Sequence, residues 1–161
     1  MGDENTVNPL EFVTYCGLYC GLCTARARVP AQAAALRDTM VKDGWEFWGH
    51  EVPGYSGFWP FLCHLSDLKN ACPGCRQGGG PPFCGIRKCA ISRGVEVCAN
   101  CLEFPCHRIQ AIAKGYPTLL ADAARMRELG VERWVSEQET RAGTGFAYAD
   151  IRCPGYKIPS E

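Results

Sequence analysis

Val29, Ala33, Leu36 and Met40 recur at i, i+4, i+7 and i+11, the repeat of one helical face, and predict a helix over about residues 28–44 with Gly44 as its stop. A short helix is expected at about 85–93, ending near Gly94. Pro105 is placed to open another, with Ile109 and Ile112 facing inward. After Pro117, the positions Leu120, Ala123, Met126 and Leu129 mark a third of this series. Val131 to about Arg141 marks a fourth, with Trp134 and Val135 as its apolar contacts. Between the first two helices, residues 45–61 hold seven aromatics, Trp45, Phe47, Trp48, Tyr55, Phe58, Trp59 and Phe61. Gly and Pro punctuate that stretch, so it reads as a loop with short helical turns. Its aromatics are expected to pack over the helices as core, rather than to form a ligand cleft with His50 or His64 as a polar contact.

Cysteine changes this picture. Twelve stand in 161 residues. Cys16, Cys20 and Cys23 form an N-terminal block; Cys72, Cys75, Cys84, Cys89, Cys98, Cys101 and Cys106 crowd 35 residues in the middle; Cys63 and Cys153 stand alone. Cys20/Cys23, Cys72/Cys75 and Cys98/Cys101 are C-x-x-C pairs. Two intervening residues let both sulfurs meet one ion, and Pro73-Gly74 and Ala99-Asn100 suit the tight knuckle this needs. Buried free thiols, which behave as small hydrophobes, account for one or two cysteines but poorly for ten. Structural disulfides need an oxidising compartment. The opening Met1-Gly2-Asp3-Glu4-Asn5 is acidic, with no basic or apolar segment of a secretory leader, and points to a cytoplasmic protein. No apolar run approaches the roughly 20 residues of a membrane span. The expected fold is therefore mostly α: a single cysteine-rich domain over residues 1–161, with metal-stapled loops, little β structure and an irregular tail at 143–161.

Ligand partition stays open. Cys72, Cys75, Cys84 and Cys89 make one closed set by proximity. Cys98, Cys101 and Cys106 then want a fourth ligand from the N-terminal block, which would dock that block onto the middle segment and set the helix face at Val29, Leu36 and Met40 against the C-terminal helices. An interleaved set, Cys72/Cys75 with Cys98/Cys101, is the alternative. Cys16-x-x-x-Cys20-x-x-Cys23 has the spacing of the radical S-adenosylmethionine cluster motif, but those enzymes need a large α/β barrel that this chain is too short and too helical to form. His107 follows Cys106 and could ligate zinc; with cysteines in surplus, a surface or capping role is expected. Cys63-His64 lacks an orienting third residue for nucleophilic chemistry.

Lys and Arg total 17 and so do Asp and Glu, a formal net charge of +0. Each four-thiolate metal site would add about −2, so two would bring the protein to about −4. That balance argues against a nucleic-acid or anionic-membrane surface; the partner itself stays open, with protein one candidate class. Lys69, Arg76, Arg87, Lys88 and Arg93 are spread through a segment free of acids, and are expected to offset the thiolates rather than to bind phosphate.

Cys16-Gly17-Leu18-Tyr19-Cys20-Gly21-Leu22-Cys23, Cys72-Pro73-Gly74-Cys75-Arg76, Ile86-Arg87-Lys88-Cys89-Ala90 and Gly94-Val95-Glu96-Val97-Cys98-Ala99-Asn100-Cys101-Leu102-Glu103-Phe104-Pro105-Cys106 together resemble the cysteine-rich domain-of-unknown-function family numbered 3795. Leu129-Gly130-Val131-Glu132-Arg133-Trp134 and Glu137-Gln138-Glu139 extend the resemblance to about residues 12–140. It implies a small metal-binding protein without an assigned reaction. All ten block cysteines fall on the family's pattern, while Cys63 and Cys153 lie outside it. Some relatives add a C-terminal zinc ribbon; the corresponding stretch here carries Cys153 alone and cannot close one.

The expected function is a zinc-binding structural or interaction module. Closed four-cysteine zinc sites have no open coordination position and no redox chemistry. The alternative is a four-iron iron–sulfur protein for electron transfer or redox sensing, since thiolate ligation alone does not separate the two metals. A metal- or thiol-dependent enzyme is the third reading, and it lacks a recognisable catalytic constellation.

Overall fold

A computed structural model describes residues 8–154. The acidic residues 1–5 and the last seven of the tail, 155–161, lie outside the described residues. The fold is mostly helical, in chain order α1 (Thr24–Ala27), α2 (Val29–Lys42), α3 (Trp45–Trp48), α4 (Tyr55–Ser66), α5 (Gly85–Ser92), α6 (His107–Ala113), α7 (Leu119–Leu129) and α8 (Val131–Gly143). Short 3-10 turns join several of these. The sheet content among the described residues is one antiparallel bridge, Val13 to Tyr19. No helix among them is long and apolar enough to cross a membrane.

The chain divides into two compact units. The first runs up to Cys23 and resumes at Pro73; the second is Thr24–Cys72. In the first, Val13, Leu22, Val97, Leu119, Ala123 and Trp134 have no exposed surface, and they share one core with Ile86, Ile109, Met126 and Tyr148. Trp134 meets Tyr19 edge to face, with ring centres 6.3 Å apart. Helices α7 and α8 are also tied outside this core, where Arg125 bonds Glu137 at 2.6 Å and Glu128 at 2.9 Å. The inward face of α7 is Leu119, Ala123 and Met126, spaced i, i+4, i+7; Leu120, the expected inward residue, is 41% exposed. The described part of the tail carries one short 3-10 turn, Tyr148–Asp150, and is not peripheral, because Ala147 and Tyr148 are buried.

In the second unit, α2 starts as expected, with Pro30 in the first turn where its missing N–H costs nothing. Its Ala33 and Met40 pack on Leu62 of α4, with Trp45, Tyr55, Trp59 and Leu65 around them. The partner of this face is thus α4, a helix where the sequence predicts a loop. Pro60 lies inside α4, and removes one backbone donor there. Burial of Leu62 and stacking of Tyr55 on Trp59, centres 5.6 Å apart, hold the helix through it. The aromatic segment is only partly core. Phe47, Phe58 and Phe61 are exposed, and Leu36, Trp45, Tyr55 and Phe58 line an open apolar groove of about 540 Å³.

Candidate metal centre

The Cys98–Asn100 segment is a 3-10 turn that brings Cys98 and Cys101 to one side, closed by Cys101 N–H donating to the Cys98 carbonyl at 2.9 Å. Val97 and Ala99 anchor it in the core with no exposed surface. The Cys98 amide donates to the Tyr15 carbonyl at 2.7 Å, which seats the knuckle on the N-terminal block. Arg127 of α7 donates from Nε to the Ala99 carbonyl and lies over the Phe104 ring, 4.7 Å from its centre. Cys106 then caps α6, its carbonyl accepting the Gln110 amide at 2.9 Å.

Cys98, Cys101 and Cys106 line a cavity of about 40 Å³, and the fourth cysteine on its wall is Cys89 of α5. The sequential partition instead places Cys89 with Cys72, Cys75 and Cys84. Helix α5 explains the difference: Cys84 is its N-cap and Cys89 lies more than one turn on, so the two point to different sides. Burial pushes the Cys98 thiol up to about 12, and neighbouring Cys16, Cys106, Cys101 and Cys89 add to the shift. Thiols crowded this way ionise together only if a cation joins them. Arg93, Arg108, Glu103 and the exposed His107 also border the cavity. Arg93 bonds Glu103 at 2.7 Å, and this arginine holds the Glu103 carboxyl below its ordinary range.

The N-terminal block folds as a second knuckle. Thr14 and Leu18 exchange bonds across Gly17, whose φ of +96° suits glycine. The Cys20 amide donates to Phe12 O at 2.7 Å, and the Cys23 amide closes a 3-10 turn on Cys20 O at 3.1 Å. Cys16 is buried, its thiol 3.1 Å from Thr14 Oγ1; burial pushes it up to about 11, with Cys75 and Cys84 as further electrostatic neighbours. Arg76 donates to Val13 O at 2.7 Å and to Glu96 O, and lies over the Tyr15 ring. Arg87 grips the carbonyls of Gly79 at 2.6 Å and Pro81 at 3.0 Å. These two arginines thus bind main-chain carbonyls of the cysteine loops, a more specific task than the diffuse charge offset expected of them.

Cys72 ends the second unit, where Arg26 donates to its carbonyl. Cys63 sits in α4 beside exposed His64, and Cys153 is exposed. His50 is exposed and 2.9 Å from Glu51. Among the described residues, no three His, Cys, Asp or Glu side chains stand close enough together to hold a metal ion as they are. Four cysteines line one cavity, and an ion held there would have to draw their sulfurs inward. Arg127, Arg26 and Tyr148 escape a reading of the sequence because each is a lone residue outside any motif; the one available signal is the planar arginine fork, suited to several acceptors at once.

No curated protein and no solved structure matches the chain. A family model does, over residues 12–111, and takes in all ten block cysteines. The match stops before α7 and α8, so the Leu129–Trp134 and Glu137–Glu139 stretches lie beyond it. On that match, the chain belongs to the family described as Protein of unknown function (DUF3795).

Proposed function

We propose that this protein is a zinc-binding structural module, with one ion held by Cys89, Cys98, Cys101 and Cys106. The observation that carries this reading is that these four cysteines, and no others, line one small cavity. Four thiolates are the donor set of a closed tetrahedral zinc site. A cavity of about 40 Å³ suits a single ion, with room otherwise for a few waters, and is small for the eight atoms of a four-iron cubane. Arg93, paired with Glu103, and Arg108 at its border leave a net charge of about +1 there, which offsets part of the charge of about −2 on such a site. Metal here would tie α5, the Cys98 knuckle and the start of α6 together, a scaffolding role that leaves no open coordination position for catalysis.

Protein purified without oxygen tests this. The expected result is a colourless protein carrying stoichiometric zinc, from which Cys98→Ser removes one equivalent. Brown protein with iron and sulfide would overturn zinc in favour of the iron–sulfur alternative, and metal-free folded protein would overturn both.

A further inference from the structure

The N-terminal knuckle and the turn at Cys75 meet through residues that do not line that cavity. A Cβ built on Gly74 would lie 3.8 Å from Cys20 Sγ, so the backbone just before Cys75 sits against the Cys20 thiol. Gly74 has φ of +109°, which only glycine adopts comfortably, and this sets the direction in which the chain enters Cys75. The contact is fixed from both sides: Arg76 bonds Val13 O at 2.7 Å and Gln77 bonds Glu11 at 3.0 Å. Downstream, Arg87 holds the loop through Gly79 and Pro81 that leads to Cys84. Cys84, like Cys98 and Cys106, packs against the apolar cluster that holds buried Cys16, and Cys75 and Cys84 are the cysteines whose charge acts on Cys16.

We propose that this juxtaposition is a second metal centre, in which Cys16, Cys20, Cys75 and Cys84 hold a thiophilic divalent ion. It builds on the thiolate reading of the first centre, but uses none of its ligands. Soft sulfur donors from the two chain segments select zinc or its heavier congener cadmium over hard cations. α5 then joins the two centres, with Cys84 at its start serving one and Cys89 serving the other. Cys23, one turn past Cys20, is left outside both sets.

Cadmium NMR of the full chain, with cadmium in place of the native ion, separates the possibilities without altering any ligand. Two cadmium resonances are expected. One should correlate with the β-protons of Cys89, Cys98, Cys101 and Cys106, the other with those of Cys16, Cys20, Cys75 and Cys84. A single resonance correlated with the first set would leave the first centre standing and overturn the second. A second resonance on any other set of cysteines would also overturn it, and no resonance at all would overturn the first centre as well. As a check in the zinc protein, Cys75→Ser should lose one of two equivalents and Cys23→Ser none.

Discussion

The hydroxyl of Tyr148 accepts the amide proton of Tyr19 at 3.0 Å, across 129 positions of chain. Tyr148 is 3% exposed, and its ring meets Tyr116 and Phe146 edge to face. The bond therefore fastens a residue beyond the family match to the turn that carries Cys20. It is a tie on the N-terminal block that uses no cysteine.

Tyr148→Phe removes the acceptor of that buried amide, and should destabilise the first unit by about 1–3 kcal/mol, read from denaturant unfolding. Burial also raises the Tyr148 hydroxyl above its ordinary value. The unfolded chain gives up this proton at about pH 10 while the folded chain keeps it. The contribution is thus fully present below about pH 10 and declines as pH rises further. The stability of the Tyr148→Phe variant should fall less steeply than that of the wild type above pH ~10. Equal slopes would show that the hydroxyl is not held this way.

Arg127 supports the Cys98 knuckle through the Ala99 carbonyl while stacking on Phe104. Groups that orient metal ligands typically carry 10–100-fold in affinity. Arg127→Ala should weaken zinc at the first centre by about that factor, measured by competition with a chromophoric chelator. An unchanged affinity with a native fold would mean that the knuckle holds itself.

Cys63 lies in the second unit on α4, and Cys153 is exposed in the tail. Replacing both with serine should leave the zinc content unchanged. Loss of one equivalent, measured by elemental analysis, would reveal a ligand among them.

Much of the helical fold was legible because its apolar positions repeat at helical spacing. Ala33 and Met40 on α2, Ile109 and Ile112 on α6, and Trp134 on α8 are all buried where that spacing puts them. Residues whose role depends on distant chain were not legible. Pro60 and the surrounding glycines argued for a loop, and α4 is held through it by the apolar face of α2 and by its own Tyr55–Trp59 stack. Leu119 and Leu120 are equivalent as letters; the turn from Tyr116 settles which faces inward, the Leu119 amide donating to the Tyr116 carbonyl at 3.0 Å. Cysteine spacing picked out the C-x-x-C pairs but not the company of Cys89, since that depends on which side of α5 meets the Cys98 knuckle. The arginines that hold the loops act on main-chain carbonyls, which no sequence pattern advertises.

X-ray absorption at the zinc edge of the freshly purified protein reads the thiolate centre without altering it. The expected first shell is about four sulfurs at about 2.3 Å, with no light-atom component. A shell mixed with nitrogen or oxygen, or a protein whose metal is iron with iron–iron scattering, would contradict it.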